Sequence, residues 1–327
     1  MSQSIQTYSR IVGTGGYLPQ KVLTNSDLEQ MVETSDAWIR ERTGICQRHI
    51  AADNETTCDL AEQAARQALD AANMVAEDLD LIIVATTTPD KIFPSTATLL
   101  QARLGGRGAP AFDIQAVCSG FIYALSVADQ FIRAGSAQKV LVVGAETLSR
   151  ITNWKDRNTC VLFGDGAGAV ILEASTEPGI LSTHIHADGH YETLLHVPSG
   201  PSKLPQTDSI AERTMQMKGS EVFKVAVNTL SKVAKETLAA NHLQKEDLDW
   251  LVPHQANLRI IKATAKKLGL RDDQTVVTVD RHANTSSASV PLALNEAIRD
   301  GRIQRGETLL LEAFGGGFTW GSALIKY

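Results

Sequence analysis

The sequence predicts an α/β fold made of two similar halves. Three observations carry this. Apolar runs of strand length alternate with stretches of helical periodicity along the whole chain, which puts helices on both sides of a sheet. A helix, acidic turn and strand occur twice: Ala71-Ala72-Asn73 followed by EDLDLIIV from Glu77, and Ala239-Ala240-Asn241 followed by EDLDWLVP from Glu246. A glycine-rich echo pairs FGDGAG at 163–168 with FGGGFTWG at 314–321. The near-constant separation of the Ala-Ala-Asn and EDLD matches makes duplication the better reading, with halves 1–174 and 175–327 and a site at their junction.

The totals agree. A chain of 327 residues fits two domains, and 43% hydrophobic residues can fill a large core. A net charge of −6 with pI near 5.8 argues against general nucleic-acid binding. No apolar run approaches the ~20 residues of a membrane span. The start, MSQSIQTYSR, lacks a signal-peptide pattern. Cys46, Cys58, Cys118 and Cys160 form no CxxC pair and no metal spacing. A cytoplasmic protein with reduced thiols is the simplest expectation.

In order along the chain, SRIVGTGGY (9–17) is a strand running into a glycine-rich turn, and its glycines do not make GxGxxG but allow tight turning and close packing. Asn25–Val32 opens a helix with Asn25 or Ser26 as cap. In TSDAWIRERTGI (34–45), Trp38, Arg40 and Arg42 lie close together. An aromatic face and an arginine can hold an adenine and a phosphate, although a solvated helix edge gives the same spacing. Residues 57–74 are an alanine-rich helix, 77–89 a buried strand with a polar exit, and 94–105 a helix ending at Gly105.

Ala111–Val117 reads as a strand, Cys118-Ser119-Gly120 as a sharp corner, and Phe121 onward as a helix with apolar positions at 121, 122, 125, 128, 131 and 132. A cysteine at a helix start is favoured as thiolate by the terminal N–H groups. An inert core cysteine has the same pattern. KVLVVGAETLSR (139–150) is a strand with a polar end, and FGDGAGAVILE (163–173) a glycine turn followed by a strand. The irregular stretch 175–220 carries His184, His186, His190 and His196. HxH on a strand aligns two imidazoles, but no cysteine or carboxylate pattern completes a metal site.

After a long helix at 220–240, the strand in DWLVPHQANLRIIKATAKKLGL ends at Pro253, His254 leaves from its tip, and Asn257 caps the next helix. Arg259, Lys262 and Lys266 share one helical face with Lys267 beside them, which suits an acidic partner or plain solvent. In VVTVDRHANTSSASVPLALNEAI (276–298) a strand ends, then Asn284 and small hydroxyl residues lead into a helix. Two strands around Gly315-Gly316-Gly317 close the chain, and such a turn can aim N–H groups at an oxyanion. Cys118, His254 and Asn284 invite comparison with papain-type proteases, but the local signature of that family around its cysteine is absent.

GTGGYLP, TSDAWIRERTGI, VCSGF, FGDGAGA, VPHQANLRI, DRHANTSSASVP and EAFGGGFTWGSAL, in this order, resemble the β-ketoacyl-acyl carrier protein synthase III family over essentially the whole length. The resemblance implies a thiolase-like fold: two duplicated five-stranded halves in five α-β-α-β-α layers, as a homodimer. It implies Cys118 as nucleophile with His254 and Asn284, and an oxyanion hole from the N–H groups of Cys118 and Gly316. It implies coenzyme A contacts at Trp38, Arg42, Arg157, Gly219, Asn257 and Arg259, and Phe93 at the acyl pocket across the dimer interface. The acyl carrier protein would meet Gln255, Ala256, Asn257, Leu258, Arg259, Lys262, Lys266 and Lys267. The implied reaction condenses an acyl-CoA, acetyl-CoA first, with malonyl-acyl carrier protein. It needs no metal or redox cofactor. Thiolases add a second cysteine near the C-terminus, and chain-elongating synthases use Cys-His-His; neither pattern is present. The alternatives are a relative with a longer or branched starter and a non-catalytic carrier-protein binding module.

Overall fold

The computed structural model describes residues 6–203, 206 and 208–327. The first half builds β1 (Tyr8–Tyr17), α1 (Asp36–Thr43), α2 (Thr57–Ala72), β2 (Leu81–Ala85), α3 (Thr96–Leu104), β3 (Ala111–Ile114), α4 (Gly120–Arg133), β4 (Lys139–Thr147) and β5 (Asp165–Ser175). Its sheet runs β1-β5-β4-β2-β3. The second half builds β6 (Ile180–Ala187), α5 (Gly219–Ala240), β7 (Trp250–Pro253), α6 (Leu258–Leu268), α7 (Ser289–Arg299), β8 (Thr308–Gly315) and β9 (Thr319–Lys326), with sheet order β6-β9-β8-β7.

The two sheets match strand for strand and in polarity. β2 is parallel to β4, β4 antiparallel to β5, and β5 antiparallel to β1. In the same sense β7 is parallel to β8, β8 antiparallel to β9, and β9 antiparallel to β6. The fifth strand of the second sheet is reduced to one parallel bridge between Leu251 and Thr275. So the strand expected at 276–279 does not form. Val276 N–H donates to Leu251 O at 2.9 Å, and the chain then turns into the short helix Val279–His282.

Five layers follow. α2 and α3 cover the outer face of the first sheet, and α5 and α6 the outer face of the second. α4 and α7 lie between the sheets. Phe121, Ile122 and Leu125 of α4 and Val290 and Leu294 of α7 join strand residues of both sheets in one core. α7 belongs to the second half, yet it packs on β1 and β5 of the first.

Two glycine clusters lie inside strands and provide close packing rather than turns, which bears out the packing half of the reading of 9–17 and corrects the turn read at 163–168. Gly13 and Gly15 lie within β1, and a Cβ on Gly15 would sit 2.1 Å from Ala64 O of α2. Gly166 and Gly168 lie within β5, where a Cβ on Gly168 would sit 2.6 Å from Leu292 N of α7. Both serve close approach of a helix to a sheet. The early helix is shorter than expected, Asn25–Glu29, and its cap is Thr24 in a capping box with Asp27. Asn25 is instead buried and donates to Asp36 Oδ1 and Ile45 O. His184 and His186 do share one face of β6, where both meet Glu236 of α5, at 3.4 and 2.9 Å.

Candidate active site

Cys118 sits in a short 3₁₀ turn, Val117–Ser119, between β3 and α4. Val117 has φ +48°, a left-handed conformation that β-branched residues avoid. Ala283 and Ser286, on either side of Asn284, carry φ +59° and +50°. Such strain persists only where the surroundings hold it. One support is visible: a Cβ on Gly315 of β8 would lie 2.6 Å from Cys118 N, so glycine lets β8 press on the corner.

Cys118 is 4% exposed. Burial pushes its thiol up to about 12, and contact with the Ser286 hydroxyl works the other way. This corrects the thiolate expectation. The partial charge of a helix start is outweighed by the loss of hydration around the sulfur.

His254 leaves the tip of β7, and its N–H donates to Glu312 O at 2.8 Å. Its Nδ1 lies 2.5 Å from Ser289 Oγ, which also accepts from Gln255 N–H at 3.3 Å. When the serine hydroxyl donates to Nδ1, the ring carries its own hydrogen on Nε2. Burial holds His254 down to about 3, so the imidazole is neutral. Asn284 is tied to the first half: its N–H donates to Leu162 O at 2.9 Å, and its carbonyl accepts from Gly164 N–H at 3.0 Å. Its Oδ1 accepts from Ser286 N–H at 2.9 Å, which leaves the two Nδ2 hydrogens for the cavity it lines.

Cys118, His254 and Asn284 meet in one cavity of about 760 Å³. Trp38 and Arg42 of α1, Gly219 of α5, and Ala256, Asn257 and Arg259 line it too. Apolar side chains such as Phe223, Ile260 and Phe314 form its walls. Asn257 joins two of its borders, accepting from Arg259 N–H at 2.8 Å to cap α6 and donating to Arg42 O at 3.0 Å. Arg157 reaches the rim from outside, its guanidinium 4.9 Å above the Trp38 ring. Gly316 follows the supporting Gly315 and packs against Leu195 and Val117.

Three expected residues lie elsewhere. Phe93 is 83% exposed beside the equally exposed Ile92, outside the cavity of its own chain. Leu258 packs on Gly44, whose Cβ would lie 2.5 Å from it. Gln255 is corrected as a carrier contact: it is fully buried, donates to Pro253 O and Val276 O, and accepts from Thr278 N–H and Val279 N–H. Its amide pins the segment that leads to Asn284. Lys262, Lys266 and Lys267 are exposed on α6 together with Arg259. Sequence reasoning missed Ser286 and Ser289, although the hydroxyl run NTSSAS was a signal, and it missed Glu146 behind them. Among the described residues no group of three or more His, Cys, Asp and Glu side chains has metal-holding geometry, and no helix is long and apolar enough to cross a membrane.

A duplicated five-layer α/β fold with a cysteine corner in a cavity shared by both halves defines the thiolase-like condensing enzymes. Within that class, residues 112–189 match the model of 3-oxoacyl-[acyl-carrier-protein] synthase III, and residues 238–327 match the model of its C-terminal part. A β-ketoacyl-[acyl-carrier-protein] synthase III of Thiobacillus denitrificans is 65% identical over 322 residues, covering 98% of this chain and 100% of the relative. One from Methylococcus capsulatus is 65% identical over 320 residues, covering 98% and 99%. The crystal structure of the Aquifex aeolicus 3-oxoacyl-[acyl-carrier-protein] synthase III superposes with TM-score 0.92 at 50% identity, covering 98% of this chain and 100% of that one. The chain belongs to the β-ketoacyl-[acyl-carrier-protein] synthase III family. It is an acyltransferase-type condensing enzyme.

Proposed function

We propose that this chain condenses an acyl-CoA, acetyl-CoA first, with malonyl-acyl carrier protein to give 3-oxoacyl-acyl carrier protein, carbon dioxide and CoA, the step that initiates fatty-acid synthesis. The observation that carries the reading is a single cavity holding Cys118, His254 and Asn284 behind a rim of Trp38 and Arg42.

In the first half-reaction the Cys118 sulfur attacks the thioester carbonyl. A carbon–sulfur bond to Cys118 forms, the bond to CoA breaks, and the thiol proton leaves with CoA. The N–H groups of Cys118 and Gly316 face the developing oxyanion. In the second, malonyl-acyl carrier protein loses carbon dioxide. The enolate oxygen accepts from His254 Nε2–H and Asn284 Nδ2–H. A neutral imidazole suits this, because it donates without giving up its proton. The carbanion attacks the acyl-cysteine, and the released Cys118 sulfur takes up a proton. Two substrates using one sulfur in turn give ping-pong kinetics. The reaction as written uses no metal or redox cofactor, since the CoA thioester is a substrate.

Trp38, Arg157 and Arg42 hold the nucleotide end of CoA through an aromatic face and two guanidinium groups, with Gly219, Asn257 and Arg259 along the same wall. Arg259, Lys262, Lys266 and Lys267 form the carrier-protein docking face, with Ala256 and Asn257 at its cavity edge and Leu258 packed beside them on Gly44. The active species is a homodimer in which Phe93 of each chain meets the acyl pocket of the other, which suits the exposure of Ile92 and Phe93. We place the enzyme in the cytoplasm, where its four free cysteines stay reduced.

Steady-state assays with acetyl-CoA and malonyl-acyl carrier protein test this. The wild-type chain releases CoA and carbon dioxide together with the 3-oxo product. His254→Ala and Asn284→Ala each lower condensation about 100- to 1000-fold, the effect of losing one oxyanion donor. Undiminished condensation by either variant would refute the assignment of donors.

A further inference from the structure

Behind the cysteine corner lies a carboxyl group that the proposed mechanism leaves unused. Glu146, near the end of β4, is fully buried. Its partners come from both halves. Oε2 accepts from Thr87 N–H, Thr88 N–H, Thr88 Oγ1 and Thr86 Oγ1 at 3.0, 3.2, 2.7 and 3.3 Å. Oε1 lies 3.0 Å from Ser286 Oγ and 3.1 Å from Ser287 Oγ. No cation pairs with it among the described residues.

Ser287 Oγ also donates to Ala85 O at 2.8 Å. Burial pushes the Glu146 carboxyl up, and the hydrogen bonds from Thr88, Thr87, Ser286 and Ser287 work the other way.

The duplication explains why a glutamate stands here. Leu81 pairs with Val140, and its repeat mate Trp250 pairs with Leu309. Counting along β4 and β8 from these pairs makes Glu146 the counterpart of Gly315. The turn Ser286–Ala288 before α7 is likewise the counterpart of Val117–Ser119 before α4, with Ser286 and Val117 sharing a left-handed φ. In the active corner Gly315 leaves room for Cys118. In the other corner Glu146 fills that room and grips the serines.

We propose that Glu146 is a positioning residue for the condensation half-reaction: it bridges Thr86–Thr88 to Ser286–Ser287 and so holds the Asn284 amide with Nδ2 toward the cavity. The link is direct, because Ser286 N–H fixes Asn284 Oδ1. This rests on the condensation reading above. It predicts a split between half-reactions, since Cys118 acylation does not use Asn284.

The test measures both steps separately. Acylation from acetyl-CoA is followed by intact mass, and turnover of the pre-acylated enzyme with malonyl-acyl carrier protein by product formation. Glu146→Leu lowers condensation about 10- to 100-fold, the cost of a misplaced donor, and leaves acylation within about three-fold. Glu146→Gln, which keeps one acceptor and one donor end, restores condensation to within about three-fold of wild type. Equal loss of both steps in Glu146→Leu overturns the proposal, as does a Glu146→Gln variant as slow as Glu146→Leu. Should Glu146→Leu fail to fold, Ser287→Ala removes the far contact, along with the hydrogen bond to Ala85 O, and leaves Ser286 in place. It slows condensation selectively, and no change in either step counts against the clamp. A wild-type chain that acylates but never condenses refutes the reading of function and this proposal with it. Normal condensation by both wild type and Glu146→Leu refutes the proposal alone.

Discussion

At Cys118 the helix start offers roughly half a positive charge, and burial removes the water that would solvate a thiolate. Burial wins, with the thiol pushed up to about 12. His254 is held down to about 3 by the same cause. The resting pair is therefore a neutral thiol beside a neutral imidazole, not an ion pair of the papain kind. Sequence could locate both residues, because each leaves the end of an apolar run. It could not set their protonation, which depends on how much of the other half covers them. Glu312 gives the matching prediction for stability. It is fully buried in β8, both oxygens lack a hydrogen-bond partner among the described residues, and burial pushes its carboxyl from an ordinary 4.5 up to about 8. Between those values the folded chain keeps a proton that the unfolded chain releases, so stability falls as pH rises through this window and levels off above it. Glu312→Gln removes the titration. Its melting temperature exceeds that of wild type at pH 8, and the gap closes toward pH 5. Parallel melting curves for the two proteins across that range would refute the assignment.

Among the elements, those with strong periodicity were legible. α4, α5 and α6 stand where apolar spacing put them, and Asn257 caps α6 as expected. The failures share a physical origin in distant neighbours. FGDGAGA looked like a turn because its glycines are dense. Gly166 and Gly168 lie in β5 because α7, more than 100 residues later, needs the space. VVTV had the composition of a strand, but the one bridge falls on Thr275 just before it, since Gln255 takes up the N–H groups of Thr278 and Val279. The basic face of α6 is legible as a pattern and exposed in fact. Charge reversal at Lys262 and Lys266 together raises KM for malonyl-acyl carrier protein about ten-fold at low salt and leaves KM for acyl-CoA within about two-fold. Comparable changes for both substrates would remove α6 from the docking face.

In the whole molecule, the duplication was readable from two short echoes, and the cavity forms where the copies meet. We propose residues 174 and 175 as the boundary between them, just where β5 ends and before β6 begins. Each half keeps an outer core of its own, and the two share the middle one. Val290 and Leu294 of α7 and Phe121, Ile122 and Leu125 of α4 are buried against both sheets. At about 1.5–3 kcal/mol for each buried side chain, this shared layer is comparable with the ~5–15 kcal/mol net stability of a folded domain. The same interlock holds Cys118 from one copy against His254 and Asn284 from the other. Neither copy contains a site alone, which is why no local motif could display it. The most direct measurement is intact-mass analysis of purified wild-type and Cys118→Ala protein incubated with a panel of acyl-CoAs, without malonate. The account predicts a mass gain of one acetyl group on wild type, mapped to Cys118 by peptide analysis, and none on Cys118→Ala. Transfer of only longer or branched acyl groups would keep the mechanism and replace acetyl-CoA as the starter. Folded wild-type protein that takes no acyl group, or equal labelling of the variant, would contradict the central claim that Cys118 is the acyl-accepting nucleophile.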